Sequence, residues 1–136
     1  MIHLYIATEE GKIYDARAKL VTLPSAAGVI TVLQGHENLI ATIDAGEISV
    51  QDEHDVRTNY SAFNGVINVV TEGRDTKVSV LLESSEDVES LDLEEAEKSL
   101  ERAKEANKEK FDDAGLDTNN GVLRELNRVK IARRYK

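Results

Sequence analysis

The sequence contains no cysteine and no tryptophan, and only four tyrosines and two phenylalanines among its 136 residues. Without cysteine there is no disulfide framework and no Cys-based metal site. The few scattered aromatic residues offer no platform for stacking nucleic-acid bases. No apolar run approaches the roughly 20 residues that a membrane-spanning helix needs. The net charge of −9 argues against binding of nucleic acid or anionic lipid by the whole surface.

Signatures of catalysis and metal binding are also missing from the sequence. None of His3, His36 and His54 lies at metal-ligand spacing from another ligand, and there is no nucleophile elbow or phosphate-binding glycine loop. We therefore expect no catalytic residue, no metal and no cofactor. The chain begins directly in a strand-like pattern without a signal or transit peptide, so we expect a soluble intracellular protein.

The residues up to about Glu83 have a β pattern. Residues 23–46 are rich in strand formers and are interrupted by Gly28, Gly35 and Gly46, which predicts a strand, a tight Gly-His turn, a second strand and a further turn. The dipeptide Asn64-Gly65 predicts a hairpin. Short strands without helices between them predict an antiparallel β-sandwich or barrel.

From Asp92 onward the pattern becomes helical, with Asp92 as the predicted N-cap. One face of this helix is formed by Leu93, Ala96, Leu100, Ala103, Asn107 and Phe111. We expect Gly115 to end the helix and a second helix to start at about Val122, with Val122, Leu126, Val129 and Ala132 on one stripe. The sequence therefore predicts a sandwich at residues 1–84, a linker at about 84–91, and an antiparallel helical hairpin within residues 85–136.

The predicted hairpin has thin, alanine-rich facing stripes. At roughly 25 cal/mol per Å² of buried apolar area, such a hairpin is only marginally stable alone. We expect it to dock on the sandwich or on another chain, and to be a movable element. Residues 85–121 carry a net charge of −8, whereas residues 122–136 carry +5, which indicates an acidic partner for the basic end or else a solvated helix face.

The central stretch carries a family resemblance. Residues 32–36 (VLQGH), followed by residues 39–41 (LIA) and 46–48 (GEI), resemble the signature of the epsilon subunit of F-type ATP synthases. That signature usually reads G-x-x-G-[IV]-L-P-G-H-x-P-L-[IV]-A. The Leu91-Asp92 pair before the first helix and the basic second helix also match, so the resemblance extends over nearly the whole chain.

The resemblance implies a non-catalytic rotor subunit at the foot of the central stalk. Its sandwich would bind the gamma subunit and rest on the c-ring, coupling proton translocation to ATP synthesis. Its hairpin would either lie on the sandwich or extend into the catalytic head, where it would inhibit ATP hydrolysis. The expected location is the cytoplasmic face of a bacterial plasma membrane, with the stromal face of the thylakoid as the alternative, and membrane contact only through the complex.

The resemblance also assigns roles to individual positions. The residues that would face the c-ring are Gly28, Val29, Gln34, Gly35 and His36, and those near the gamma subunit are Thr8 and Ala41. The residues that would contact an acidic segment of the beta subunit, in the head formed with the alpha subunit, are Arg124, Arg128, Lys130, Arg133 and Arg134. Guanidinium groups suit carboxylate partners of this kind.

The sequence departs from the family pattern at several positions. Gln34 stands in place of the usual proline, so the turn is less preset. Val29 replaces a glutamate and Thr31 a glycine. The family's ATP-binding motif, [IL]-D-x-x-R-A, is degenerate here, since the chain keeps Leu91, Asp92 and Ala96 but has Glu95 at the arginine position. A carboxylate repels phosphate, so we expect regulatory ATP binding to be weak or absent.

Two alternatives from other classes have less support. One is an unrelated intracellular β-sandwich binding module with a helical oligomerisation tail. The lack of candidate exposed aromatics and of a signal peptide argues against it. The other is a small enzyme with its active site in the barrel, which the absence of any catalytic constellation argues against.

Overall fold

The computed structural model describes residues 1–114 and 119–135, with side chains for residues 1–106 and 121–135. The chain divides into two compact units, residues 1–87 and residues 88–136. The first unit contains strands β1 (Ile2–Thr8), β2 (Gly11–Ser25), β3 (Gly28–Leu33), β4 (Leu39–Asp52), β5 (Arg57–Glu72) and β6 (Asp75–Ser84). The second contains a short 3₁₀ turn (Val88–Ser90) and helices α1 (Leu93–Ala114) and α2 (Asn119–Tyr135).

The first unit is a closed β structure. Its strand order is β1-β6-β5-β4-β2-β3, and β1 also pairs with β2, so five strands form a ring with β3 at the edge. All neighbours are antiparallel except β1 and β6, which run parallel. The predicted sandwich followed by a helical hairpin is confirmed. Strands β2, β4 and β5 are longer than expected, with 14 to 16 residues, and the turn predicted at Gly46 is wrong because Gly46 lies inside β4.

The core of the sandwich follows from the two-residue alternation of its strands. In β1, Ile2, Leu4 and Ile6 are completely buried while His3 is exposed. The same alternation in β6 buries Val78, Val80 and Leu82. Because successive side chains on a strand point to opposite faces, these positions meet in one continuous core.

The hairpin predicted at Asn64-Gly65 is wrong. Both residues lie inside β5, which continues through them from Arg57 to Glu72. Asn64 has a positive φ of 55°, which marks a local distortion of the strand. A Cβ atom on Gly65 would lie 2.1 Å from the Leu81 carbonyl oxygen. The glycine therefore allows β5 and β6 to approach each other. An Asn-Gly dipeptide can serve this role or form a tight turn, and the sequence alone does not tell which.

Helix α1 begins where the sequence predicts. The Glu95 backbone N–H donates to Oδ1 of Asp92 (3.1 Å) and the Ala96 N–H donates to the Asp92 carbonyl oxygen (2.9 Å), so Asp92 is the N-cap. The predicted stop at Gly115 lies outside the described residues. Helix α2 begins at Asn119, three residues before the predicted Val122.

The hairpin unit has two small apolar clusters. The first joins Ala96 and Leu100 of α1 to Val129 of α2, with Leu93, Val122 and Leu126 partly buried around it. The second, which the sequence pattern did not predict, joins Val88, Leu91, Ile131 and Ala132. The side chains of Asn107 and Phe111 lie outside the described residues.

No helix in residues 1–114 and 119–135 combines the length and the apolar character that crossing a bilayer requires.

Candidate functional site: interaction surfaces

The residues predicted to face the c-ring fall into two groups at opposite ends of β3. Gly28 begins the strand with a φ of 124°, and Gly35 follows its end with a φ of 85°. At about 3.3 Å per residue, roughly 16 Å separates Gly28 from Leu33. The structure therefore does not bring Gly28 and Val29 together with the turn at residues 34–36. All five residues can face one partner only if that partner contacts the whole length of β3.

The outer side of β3 is apolar. Val29 is 74% exposed and Leu33 is 51% exposed, and both lie on the edge strand of the sheet. Between them Thr31 is exposed, and its Oγ1 lies 3.0 Å from Oγ1 of Thr22. This strip lacks the carboxylate that the family usually has at position 29, and its exposed side chains are two apolar residues and a threonine.

The Gln34 side chain ties the turn after β3 to another segment. Its Nε2 donates to the Arg74 carbonyl oxygen (2.9 Å), and the neighbouring Gly35 N–H donates to Oγ1 of Thr76 (2.8 Å). Proline would fix the backbone of this turn through its ring. Here hydrogen bonds to the β5–β6 turn and the start of β6 take that role, which local sequence reasoning did not reveal.

His36 is half-buried and engaged by the backbone. Its N–H donates to the Leu33 carbonyl oxygen (3.1 Å), which closes the turn, and its own carbonyl accepts from Oγ1 of Thr71 (2.6 Å). The ring Nδ1 lies 2.7 Å from the Glu37 carbonyl oxygen. His36 is thus a fixed part of the turn.

The two positions predicted to lie near the gamma subunit differ in environment. Thr8 ends β1, accepts a hydrogen bond from the Glu10 N–H (3.2 Å) and borders a shallow cavity of about 420 Å³. Ala41 is half-buried and packs against the sandwich core. Its neighbour Ile40 is 75% exposed, so the outward position on this part of β4 is Ile40.

An outward apolar patch, which the sequence analysis did not single out, lies on β4, β5 and β6. Thr42 pairs with Val66, and Val66 pairs with Leu81, which is 52% exposed. Ile40 is two residues from Thr42 and lies diagonally across from Val66, within reach of a long side chain. The signal was available in β6, where Leu81 stands between the buried Val80 and Leu82.

Arg128 is the most enclosed of the five predicted inhibitory residues. Its Nη2 donates to Oε2 of Glu95 and its Nη1 to Oε2 of Glu125, both at 2.6 Å. Only 12% of the Arg128 side chain is exposed. The hydrogen bond from Arg128, followed by one from Ser99, lowers the pKa of Glu95. In this hairpin, the arginine joins α2 to α1.

The other predicted inhibitory residues lie nearer to solvent. The Arg133 Nη2 is 3.3 Å from Oε1 of Glu97 with 66% of its side chain exposed, and the Arg124 Nε is 3.5 Å from Oε1 of Glu125. Lys130 and Arg134 are exposed. Surface ion pairs contribute about 0–1 kcal/mol, so Arg133 can exchange one carboxylate for another at little cost.

Each residue of the degenerate ATP motif has a structural role in the hairpin unit. Leu91 and Ala96 are buried, one in each apolar cluster. Asp92 caps α1. Glu95 binds Arg128. The sequence predicted repulsion of phosphate by Glu95, but it did not reveal that this carboxylate pairs with an arginine 33 positions away.

A family model described as the beta-sandwich domain of the ATP synthase Delta/Epsilon chain matches residues 1–88. The chain belongs to this ATP synthase family. A curated relative is the chloroplastic ATP synthase epsilon chain of Gracilaria tenuistipitata var. liui, which is 25% identical over 132 residues, 96% of this chain and 95% of the relative.

Solved ATP synthase structures share the fold. One chain of the Euglena gracilis mitochondrial ATP synthase (OSCP/F1/c-ring, rotational state 1) matches with a TM-score of 0.73 and 21% identity, covering 98% of this chain and 81% of the other. A chain of the Tetrahymena thermophila mitochondrial ATP synthase central stalk and c-ring matches with a TM-score of 0.52 and 8% identity, covering 66% and 69%.

Family membership confirms the predicted class. The chain is an epsilon-type, non-catalytic accessory subunit of the rotor stalk of an F-type ATP synthase, and serves ATP synthesis as part of a membrane-associated complex. The inhibitory role, the contact residues and the absence of ATP binding stay predictions.

Proposed function

We propose that the sandwich of this subunit links the gamma subunit to the c-ring and that its hairpin restrains ATP hydrolysis in the head formed by the alpha and beta subunits. The observation that carries the first part is the presence of two separate exposed apolar surfaces on one small closed sheet. The patch of Ile40, Val66 and Leu81 faces gamma. The strip of Val29 and Leu33, with the turn at residues 34–36, faces the c-ring. Apolar contacts of this kind supply most of the affinity of a stable interface.

The inhibitory contact is made by the basic face of α2. An acidic segment of the beta subunit competes with Glu97 for Arg133 and joins Glu125 as a second partner of Arg124, whose side chain is 40% exposed. Neither contact needs a rearrangement of the helices. Contact with Arg128 requires α1 and α2 to separate, since Glu95 and Glu125 enclose its guanidinium group. The hairpin therefore has weaker and stronger modes of inhibition, depending on whether its two helices stay packed.

The complex lies at the cytoplasmic face of a bacterial plasma membrane, with the stromal face of a thylakoid membrane as the alternative. The subunit reaches the membrane through its partners.

The hairpin does not bind regulatory ATP with micromolar affinity. Glu95 stands where the family motif has arginine, and its carboxylate already holds Arg128 at 2.6 Å. A nucleotide phosphate would have to displace a charged hydrogen bond and then face a carboxylate. We expect isothermal titration of the full chain with MgATP to give no binding in the micromolar range. A micromolar dissociation constant would refute this proposal.

Reconstitution tests the division of labour between the units. The full chain and a version ending at Asp87 are added to a catalytic complex stripped of its epsilon subunit. Asp87 is the appropriate end, because the Ser61 N–H donates to the Glu86 carbonyl oxygen (2.7 Å) and Tyr60 pairs with Asp87. We expect both proteins to bind, and only the full chain to slow ATP hydrolysis.

The outcomes separate the two parts of the proposal. If both versions bind and neither slows hydrolysis, the sandwich anchors the subunit but the hairpin does not inhibit ATP hydrolysis. If neither binds, the rotor role of this chain in that complex is refuted. An Ile40→Asp variant of the full chain should lose gamma binding, whereas Val56→Asp, which also replaces an exposed apolar side chain but lies in the turn between β4 and β5, outside both surfaces, is the matched control.

A further inference from the structure

Three basic or titratable side chains stand side by side across the outer face of the sandwich. His3 of β1 is in register with Arg17 of β2 on one side and with Lys77 of β6 on the other. Directly opposed residues on neighbouring strands have Cβ atoms about 4.5–5.5 Å apart. The row of Arg17, His3 and Lys77 therefore places one cation on each side of a histidine, on a unit that is acidic overall.

The cations of this row form no ion pairs, in contrast to two other lysines of the sandwich. Lys12 pairs with Asp15 and Lys19 with Asp55. Within residues 1–87, all of which the structure describes, the side chains of Arg17, Arg57, Arg74 and Lys77 form no ion pair. Three of these four line one cavity, and Arg57 lies elsewhere.

The cavity has a volume of about 560 Å³ and lies beside the turn that follows β3. Arg74 lines it, and the Gln34 hydrogen bond to the Arg74 carbonyl oxygen holds the Arg74 backbone beside that turn. Two carboxylates also line it, but Glu53 lies 3.6 Å from His54, and Asp75 is not within ion-pair distance of any cation in residues 1–87. The His3 Nε2 is 2.9 Å from Oδ1 of Asp15, and the Met1 ammonium donates to Oε1 of Gln34, so Arg17, Arg74 and Lys77 are the cationic side chains left for a ligand.

We propose that this cavity, which we call the basic cavity, binds a phosphate-type oxyanion through Arg17, Arg74 and Lys77. Guanidinium groups present parallel N–H donors that match two phosphate oxygens, and the lysine ammonium adds a point charge. The ligand is either a free phosphate or the phosphate of a lipid headgroup. None of the residues of the basic cavity belongs to the degenerate ATP motif.

The first arm of the test uses inorganic phosphate. The ¹⁵N-labelled full chain is titrated with sodium phosphate and, at the same ionic strength, with sodium chloride. We expect saturable shifts at His3, Arg17, Arg74 and Lys77 with phosphate alone. The Arg17→Gln/Lys77→Gln variant should weaken binding at least tenfold, whereas Arg57→Gln, which removes an unpaired cation outside the cavity, should not. Equal shifts in both salts, or an equal loss in both variants, would overturn the proposal.

The second arm identifies the source of the phosphate. The full chain is floated with phosphatidylglycerol vesicles and with phosphatidylcholine vesicles. Retention on the phosphatidylglycerol vesicles alone, lost in the double variant and kept in Arg57→Gln, assigns a lipid headgroup. No retention, together with saturable binding of inorganic phosphate, assigns a free phosphate. No binding in either arm rejects the site. Exposed positions are substituted in every variant, and the dispersion of the amide spectrum confirms that each one is folded.

Discussion

Replacing Gly65 by alanine is expected to destabilise the sandwich by at least about 3 kcal/mol, at the upper end of the cost of overpacking a core. The new Cβ would lie 2.1 Å from the Leu81 carbonyl oxygen and 2.8 Å from a Leu82 methyl carbon. The obstacle is backbone, so a change of side-chain rotamer cannot remove it, and β5 must move away from β6. Urea unfolding followed by near-UV circular dichroism measures the effect.

The control for Gly65→Ala is Asn68→Ala on the same strand. Asn68 is exposed, and exposed substitutions usually change the free energy of unfolding by less than about 0.5 kcal/mol. If both variants unfold at the same urea concentration as the wild type, then the close approach of β5 and β6 does not constrain the fold.

Replacing Arg128 by methionine is expected to melt much of the helical hairpin. The substitution leaves Glu125, whose side chain is 12% exposed, without the guanidinium that it contacts at 2.6 Å. Removing one partner of a buried ion pair typically costs roughly 3–5 kcal/mol. Arg124, whose Nε lies 3.5 Å from Oε1 of Glu125 and whose side chain is 40% exposed, compensates the remaining charge only in part. The apolar clusters of this unit are small, so that loss exceeds what they can offset. Far-UV circular dichroism should show reduced helicity, and amide exchange in α2 should accelerate.

The matched control on the same helix is Arg133→Met. Arg133 also pairs with a glutamate of α1, but 66% of its side chain is exposed, so the expected cost is about 0–1 kcal/mol. Restoring neutrality with Glu95→Gln/Glu125→Gln/Arg128→Met should recover part of the lost helicity. If Arg128→Met is no more disruptive than Arg133→Met, the enclosed charge network does not hold the hairpin together.

The sequence predicted well what depends on local periodicity. Alternation defined the strands, and the step of three and four with Asp92 as N-cap defined the start of α1. Sequence patterns gave wrong predictions where the same short sequence is compatible with two kinds of local structure. Asn64-Gly65 has the chemistry of a tight turn, yet here it relieves crowding inside a long strand. The start of α2 was missed because Asn119 and Asn120 favour turns in isolation, although a helix tolerates them in its first turn.

The surfaces were harder to predict because they depend on residues that are far apart in the sequence. The resemblance indicated the turn at residues 34–36, but not that Gln34 would bond to Arg74. It listed Arg128 among equivalent cations, but only the packing of α1 on α2 distinguishes it from Arg133. Likewise, the row of Arg17, His3 and Lys77 requires the register of three strands. No periodicity argument supplies such a register.

The parallel pairing of β1 with β6 governs when the sandwich can form during synthesis. Ile2 is paired with Thr76 and Thr8 with Leu82, so the ring cannot close until β6 has been synthesised and can pair with β1. Strands that are far apart in the sequence pair slowly, because closing the long loop between them costs conformational entropy before any stabilising contact forms. Until then Ile2, Leu4 and Ile6 lack part of their cover. We expect the nascent chain to remain open on the ribosome until β6 has left the exit tunnel, and to be available for assembly only from that moment.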